Sequence, residues 1–149
     1  MRSIAYLLII VLLSNTFGQF GKNIVQYDEF NWKYIQSAHF DIYYYDPGFE
    51  HAKYVASEAE IAYLHIADLI GWRLKNRVAI IVYNSHNDFQ QTNVIASYMV
   101  EGIGGVTELF KNRVVIPFDG SQKEFKHVIH HELVHAFIND GVYGGNYNA

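Results

Sequence analysis

The sequence predicts an α+β domain, a small mixed sheet packed on two helices. Three observations carry this. Apolar residues keep helical spacing over two long stretches, Phe49–Ile70 and Ser121–Gly141. Short β-branched or alternating runs stand between and before them. At 149 residues, 50% hydrophobic and 17% charged, the chain can bury one core and is too short for two full domains.

In order along the chain, Met1–Gly18 has the marks of a signal peptide. Arg2 gives the positive start, Ile4–Leu13 an unbroken apolar run, and Thr16 and Gly18 the small residues before a cut at Gln19. An uncleaved anchor is the rival reading, but the run falls well short of the roughly 20 apolar residues that span a bilayer. Export to the periplasm or beyond, with no membrane anchor after cleavage, is therefore expected for the mature domain 19–149.

Phe20–Ser37 shows no period, though Trp32, Tyr34 and Ile35 suggest a short extended piece. His39–Tyr45 alternates, with Phe40, Ile42 and Tyr44 on one face, and Asp46-Pro47-Gly48 ends the strand. His39 and Asp41 are site candidates or simply a solvated strand face. In the helix Phe49–Ile70, Ala52, Val55, Ala56, Ala59, Tyr63, Ile66 and Ile70 keep helical spacing, and Gly71 ends it. Glu58, Glu60, His65 and Asp68 fall on its expected wet side. Arg77–Tyr83 reads as a buried strand, Asn84–Asn93 as a polar loop with one helical turn, and Leu109–Phe118 as another strand. Gly102, Gly104 and Gly105 lack a phosphate-binding fingerprint and instead suit a backbone passing close to a ligand or another strand.

Ser121–Gly141 is the helix that carries chemistry. Ser121 and Glu124 have capping-box spacing, Asp119-Gly120 turns the chain into it, and Gly141 is the expected stop. Inside it, His131-Glu132-Leu133-Val134-His135 is H-E-x-x-H. Four residues rotate a helix about 40° past a full turn, so both imidazoles project from one face and can bind one metal ion. Glu132 lies about 100° round from His131, where a carboxylate flanks the metal and can take a proton from water. The pattern points to a zinc hydrolase with His131 and His135 as ligands and Glu132 as general base. His127 and His131 form an alternative pair, without a following acid. His130 points away from Glu132 and reads as a solvated histidine or a support for a ligand. A coincidental motif in a structural domain is the bland alternative.

The net charge of −4, without a basic cluster, argues against nucleic acid as a partner, and the absence of cysteine rules out disulfides.

Three runs, Gly104–Leu109, Asn112–Gly120 and Phe125–Phe137, resemble the peptidase MA-like gluzincin domain of secreted bacterial proteins, which often precedes a TolB-like β-propeller. The resemblance implies a zincin-like N-terminal subdomain and an edge strand near Val106–Leu109 that aligns a peptide or protein substrate. It also implies zinc on His131 and His135, with Glu132 as base. Such domains take a third ligand, a glutamate, from a later helix. Here the chain ends at Ala149, and Gly141 stands where a metzincin has its third histidine. The expectation is a partial domain that binds zinc poorly and is inactive alone, with Phe137 and Ile138 exposed, unless Asp140, Glu58 or a second copy supplies the ligand. The competing function is a non-catalytic binding module for peptide or envelope partners.

Overall fold

The alternation of Phe40, Ile42 and Tyr44 places three fully or almost fully buried side chains on one face of a central strand. The computed structural model of the chain describes residues 27–92, 104–109 and 111–143. The elements, in order, are β1 (Lys33–Gln36), β2 (Phe40–Tyr44), α1 (Phe49–Ile70), β3 (Val78–Tyr83), α2 (His86–Phe89), β4 (Val106–Glu108), β5 (Arg113–Pro117) and α3 (Gln122–Tyr143). The proposed signal peptide and Gly102 lie outside the described residues.

The five strands form one mixed sheet in the order β1-β2-β3-β5-β4. β2, β3 and β5 run parallel, and β1 and β4 pair antiparallel at the two edges. Parallel pairing of β2 and β3 requires a crossover, and α1 is that crossover. The mixed sheet and its helices agree with the α+β expectation.

The two long helices cover one face. Ala52, Val55, Ala59 and Tyr63 of α1 meet Phe125, Ile129, Leu133 and Phe137 of α3 over Ile42, Ile80, Val82 and Ile116 of the sheet. The opposite face carries a smaller cluster of Tyr45, Tyr83, Phe89 and Val115, with Phe30 packed against it. Alternation explains the split: Val114 and Ile116 go to one core, and Val115 between them to the other.

Several expectations need correcting. The second long helix does not stop at Gly141 but continues to Tyr143. Its last turns are held from outside, because the buried Asp140 carboxylate accepts from Trp72 Nε1 (2.9 Å) and the Lys75 amide (3.2 Å). Only half of the capping box forms. Ser121 Oγ accepts from the Glu124 amide (3.3 Å), but the Ser121 amide donates to Asp119 rather than Glu124 (2.9 Å). The strand expected from Leu109 begins at Arg113, since Asn112 turns the chain at φ 46°. Asn139 fixes that turn, donating to Leu109 O and to Asn112 Oδ1.

Phe137, expected in solvent, is fully buried, its ring 5.3 Å from that of Tyr63, whereas Ile138 is exposed as expected. Glu58 and Glu60 are not on a wet side. Glu58 meets Lys126 (3.0 Å) and His130 (3.5 Å) of α3. Glu60 accepts from Ser37 Oγ (2.6 Å) and the His39 amide (2.8 Å) and pairs with His39 Nδ1 (2.7 Å). His65 and Asp68 are exposed as read.

Candidate metal centre

The site is built on α3, whose buried face anchors it. Leu133, Ala136 and Phe137 are fully buried and Ile129 almost so, which fixes the rotation of the helix and turns His131 and His135 outward. The two rings converge through their tips: centroids stand 4.8 Å apart, but the two Nε2 atoms only 3.1 Å. Two nitrogens held by one tetrahedral zinc at its usual bond length lie about 3.3 Å apart. The spacing is close to that value, and it is also that of an N–H···N hydrogen bond between the two rings. Neither imidazole is held by the core: the helix backbone puts both on one face, and the contact between their Nε2 atoms joins the tips.

Glu132 is placed differently. It is 6% exposed, turned toward β4. Thr107 of β4 has its hydroxyl 2.7 Å from Glu132 Oε2 and 3.0 Å from the Glu132 carbonyl oxygen, and donates its one proton to either. The strand reaches this close because of glycine. A Cβ on Gly105 would stand 2.9 Å from Glu132 Cγ, 2.9 Å from Val128 Cγ1 and 3.0 Å from Ile116 Cγ2. A Cβ on Gly104 would meet Val128 Cγ2 at 2.8 Å. The glycines thus let the backbone pass close to α3 beside the acid; the sequence reading expected a ligand or another strand there, and the neighbours are mainly the helix side chains Val128 and Glu132, with Ile116 of β5.

Thr107 is the residue that sequence reasoning missed. It lies 25 residues from Glu132, and no local spacing signals a contact that only the β4–α3 packing creates. The alternative pair is less favourable. His127 also faces solvent, but its ring centroid is 6.2 Å from that of His131, and no acid follows it. His130 is half-buried and turned to Glu58 on α1, away from the converging pair. His39 stacks on Tyr63 at 3.6 Å and pairs with Glu60, and Asp41 pairs with Arg77 (2.8 Å), so both hold elements together.

The expected third ligand is not found in either acid named for it. Asp140 is committed to Trp72 and Lys75, and Glu58 to Lys126 and His130. Among the described residues, no three histidine, cysteine, aspartate or glutamate side chains come together as a metal-binding group.

Burial alone would push the Glu58 carboxyl up, but the hydrogen bonds from Lys126 and His130 outweigh it and leave the group below its ordinary range. The same balance, with Ser37 and His39 as donors, lowers Glu60. Lys126 is raised in turn, first by its hydrogen bond to Glu58.

Compared with known proteins, the chain matches no family model and no curated protein sequence. Among the described residues, no helix is long and apolar enough to cross a membrane.

Proposed function

We propose that this chain is a zincin-like metallopeptidase domain of the peptidase MA-like type, with zinc on His131 and His135 and Glu132 as general base. The observation that carries the reading is one piece of geometry. Two exposed imidazole nitrogens converge to 3.1 Å beside a buried carboxylate held by Thr107. A buried carboxylate takes a hydrogen-bond donor whatever its role, so the Thr107 contact supports the reading through its place beside the histidine pair.

Zinc, when bound, supplies a Lewis acid that polarises a carbonyl and brings the pKa of water to about 7. The chain's own residues supply the rest. Glu132 accepts the proton of the attacking water on a carboxylate oxygen and returns it to the departing amine as the peptide bond breaks. Thr107 fixes one oxygen of that carboxylate, which holds the acid against β4 while the other oxygen works. Among the described residues β4 is an edge strand, paired on one side with β5, and its other side is where an extended peptide would add. The substrate is accordingly a peptide or protein segment in extended form. The apolar run near Met1 supports export, with the domain acting in the periplasm or outside the cell.

A catalytic zinc normally takes three protein ligands and keeps one position open. The described residues bring two, which also favours the second reading, a binding module that presents β4 to a peptide without cutting it. A peptidase assay separates them, run with and without chelator and on Glu132→Gln. A form with the third ligand in place is expected to cleave, to stop with chelator, and to lose cleavage in Glu132→Gln while keeping its zinc. A form holding only the histidine pair is expected to take up zinc without cleaving. Cleavage indifferent to Glu132→Gln would contradict the mechanism.

A further inference from the structure

We infer that the crevice over the end of β3, between the starts of α1 and α3, is a binding site for a small aromatic carboxylate. It is separate from the histidine pair and does not depend on the metal reading.

The topology opens this crevice. β2, β3 and β5 run parallel and end on the same side of the sheet, at Tyr44, Tyr83 and Pro117. After β2 and β5 the chain turns to one face, into α1 and α3. After β3, which lies between those strands, it turns to the other face, where Phe89 of α2 is buried. The end of β3 is thus left open between the two long helices. Open sheets bind ligands at such places, outside the carboxyl ends of parallel strands where neighbouring connections part. Here a cavity of about 500 Å³ is lined by His51 and Tyr54 of α1, Phe118 after β5, and Gln122 and Phe125 of α3.

The walls set the chemistry of the ligand. The His51 ring lies 4.1 Å from that of Phe118, and Tyr54 stacks with Phe125, so the lining is aromatic and suits a flat ring. His51 Nδ1 is buried and has no hydrogen-bond partner among the described residues. A buried polar atom needs a partner, and with its proton on Nδ1 this imidazole can donate to a carboxylate oxygen. Glu50 and Lys53 also border the cavity, but they pair with each other (2.9 Å) and balance in charge. The early turns of α1 and α3 both line it, and α1 has no side-chain cap at Gly48. The positive ends of two long helices then favour an anion over a neutral ring. A free aromatic acid and the C-terminal aromatic residue of a peptide share this chemistry.

The test is NMR of the chain's backbone amides during addition of sodium benzoate, for a free acid, or N-acetylphenylalanine, for a peptide C-terminus. Saturable shifts are expected around His51, Phe118 and Gln122, and the acid that binds more tightly identifies the source. Benzamide, of the same shape without the charge, is expected to bind about tenfold more weakly. His51→Phe keeps a ring beside Phe118 but removes the nitrogen, and is expected to weaken binding about tenfold. Gln122→Trp, at an exposed position, fills the mouth of the crevice and is expected to abolish binding. If His51→Phe does not fold, Gln122→Trp and benzamide decide. No saturable shift with either acid, or shifts centred elsewhere, would overturn the inference. So would equal binding of benzamide, or binding indifferent to either substitution.

Discussion

Two carboxylates are buried on the same helix, Glu132 at 6% exposure and Asp140 at 2%, and their partners give them different fates. Asp140 accepts from an indole N–H and a backbone amide, both donors from the segment that follows α1. Removing it leaves those donors unpaired. Asp140→Ala is expected to cost about 1–3 kcal/mol, read as a lower denaturation midpoint, with zinc uptake unchanged. Loss of zinc binding in that variant would mean that Asp140 is a ligand after all. Glu132 has Thr107 as its side-chain hydrogen-bond partner among the described residues. Acids that support a metal site through such contacts typically lose 10- to 100-fold in activity when the contact is removed. In a cleaving form, Thr107→Val is expected to lower kcat by about that much and Thr107→Ser to restore it. Equal activity in the two variants would remove Thr107 from the mechanism.

At the scale of elements, the fit of β4 against α3 depends on Gly105. Gly105→Ala forces a methyl to within 3.0 Å of Glu132, Val128 and Ile116 at once. It should cost about 1–3 kcal/mol as overpacking does, and amide-exchange protection should fall in β4 before the rest of the sheet. Unchanged protection in β4 would show that the strand does not rely on this approach. Both long helices were legible in the sequence, because a period of 3.6 with a marked end is a local signal. α1 occupies Phe49–Ile70 as read, and Gly71 adopts the left-handed φ of 70° that ends it. The H-E-x-x-H face was legible for the same reason. The end of α3 was not, since Trp72 and Lys75, far away in the chain, hold it past its glycine. The parallel pairing of β2, β3 and β5 was not legible either, because alternation is the same in both kinds of ladder. Glu58 and Glu60 were misread as solvated because nothing in a helical wheel shows which neighbours come to cover it.

For the whole molecule, those two acids tie α1 to its neighbours. Glu58 joins α1 to α3, and Glu60 joins α1 to the turn between β1 and β2. Both are lowered from the ordinary value of 4.5. The unfolded chain then takes up these protons first as the pH falls. The stability they contribute is full above about pH 4.5 and drains away as the pH drops through their lower folded values. Denaturation midpoints measured from about pH 7 to about pH 3 should fall at the acid end, and Glu58→Gln with Glu60→Gln should flatten that fall. An acid profile identical in the double variant would refute this account of the α1 contacts.

The central claim is that His131 and His135 hold one zinc ion. Calorimetric titration of zinc into the chain, repeated on His131→Ala and His135→Ala, tests it most directly. The geometry predicts saturable binding that either substitution abolishes and that His127→Ala leaves intact. No binding, or binding that survives the loss of either histidine, would contradict it.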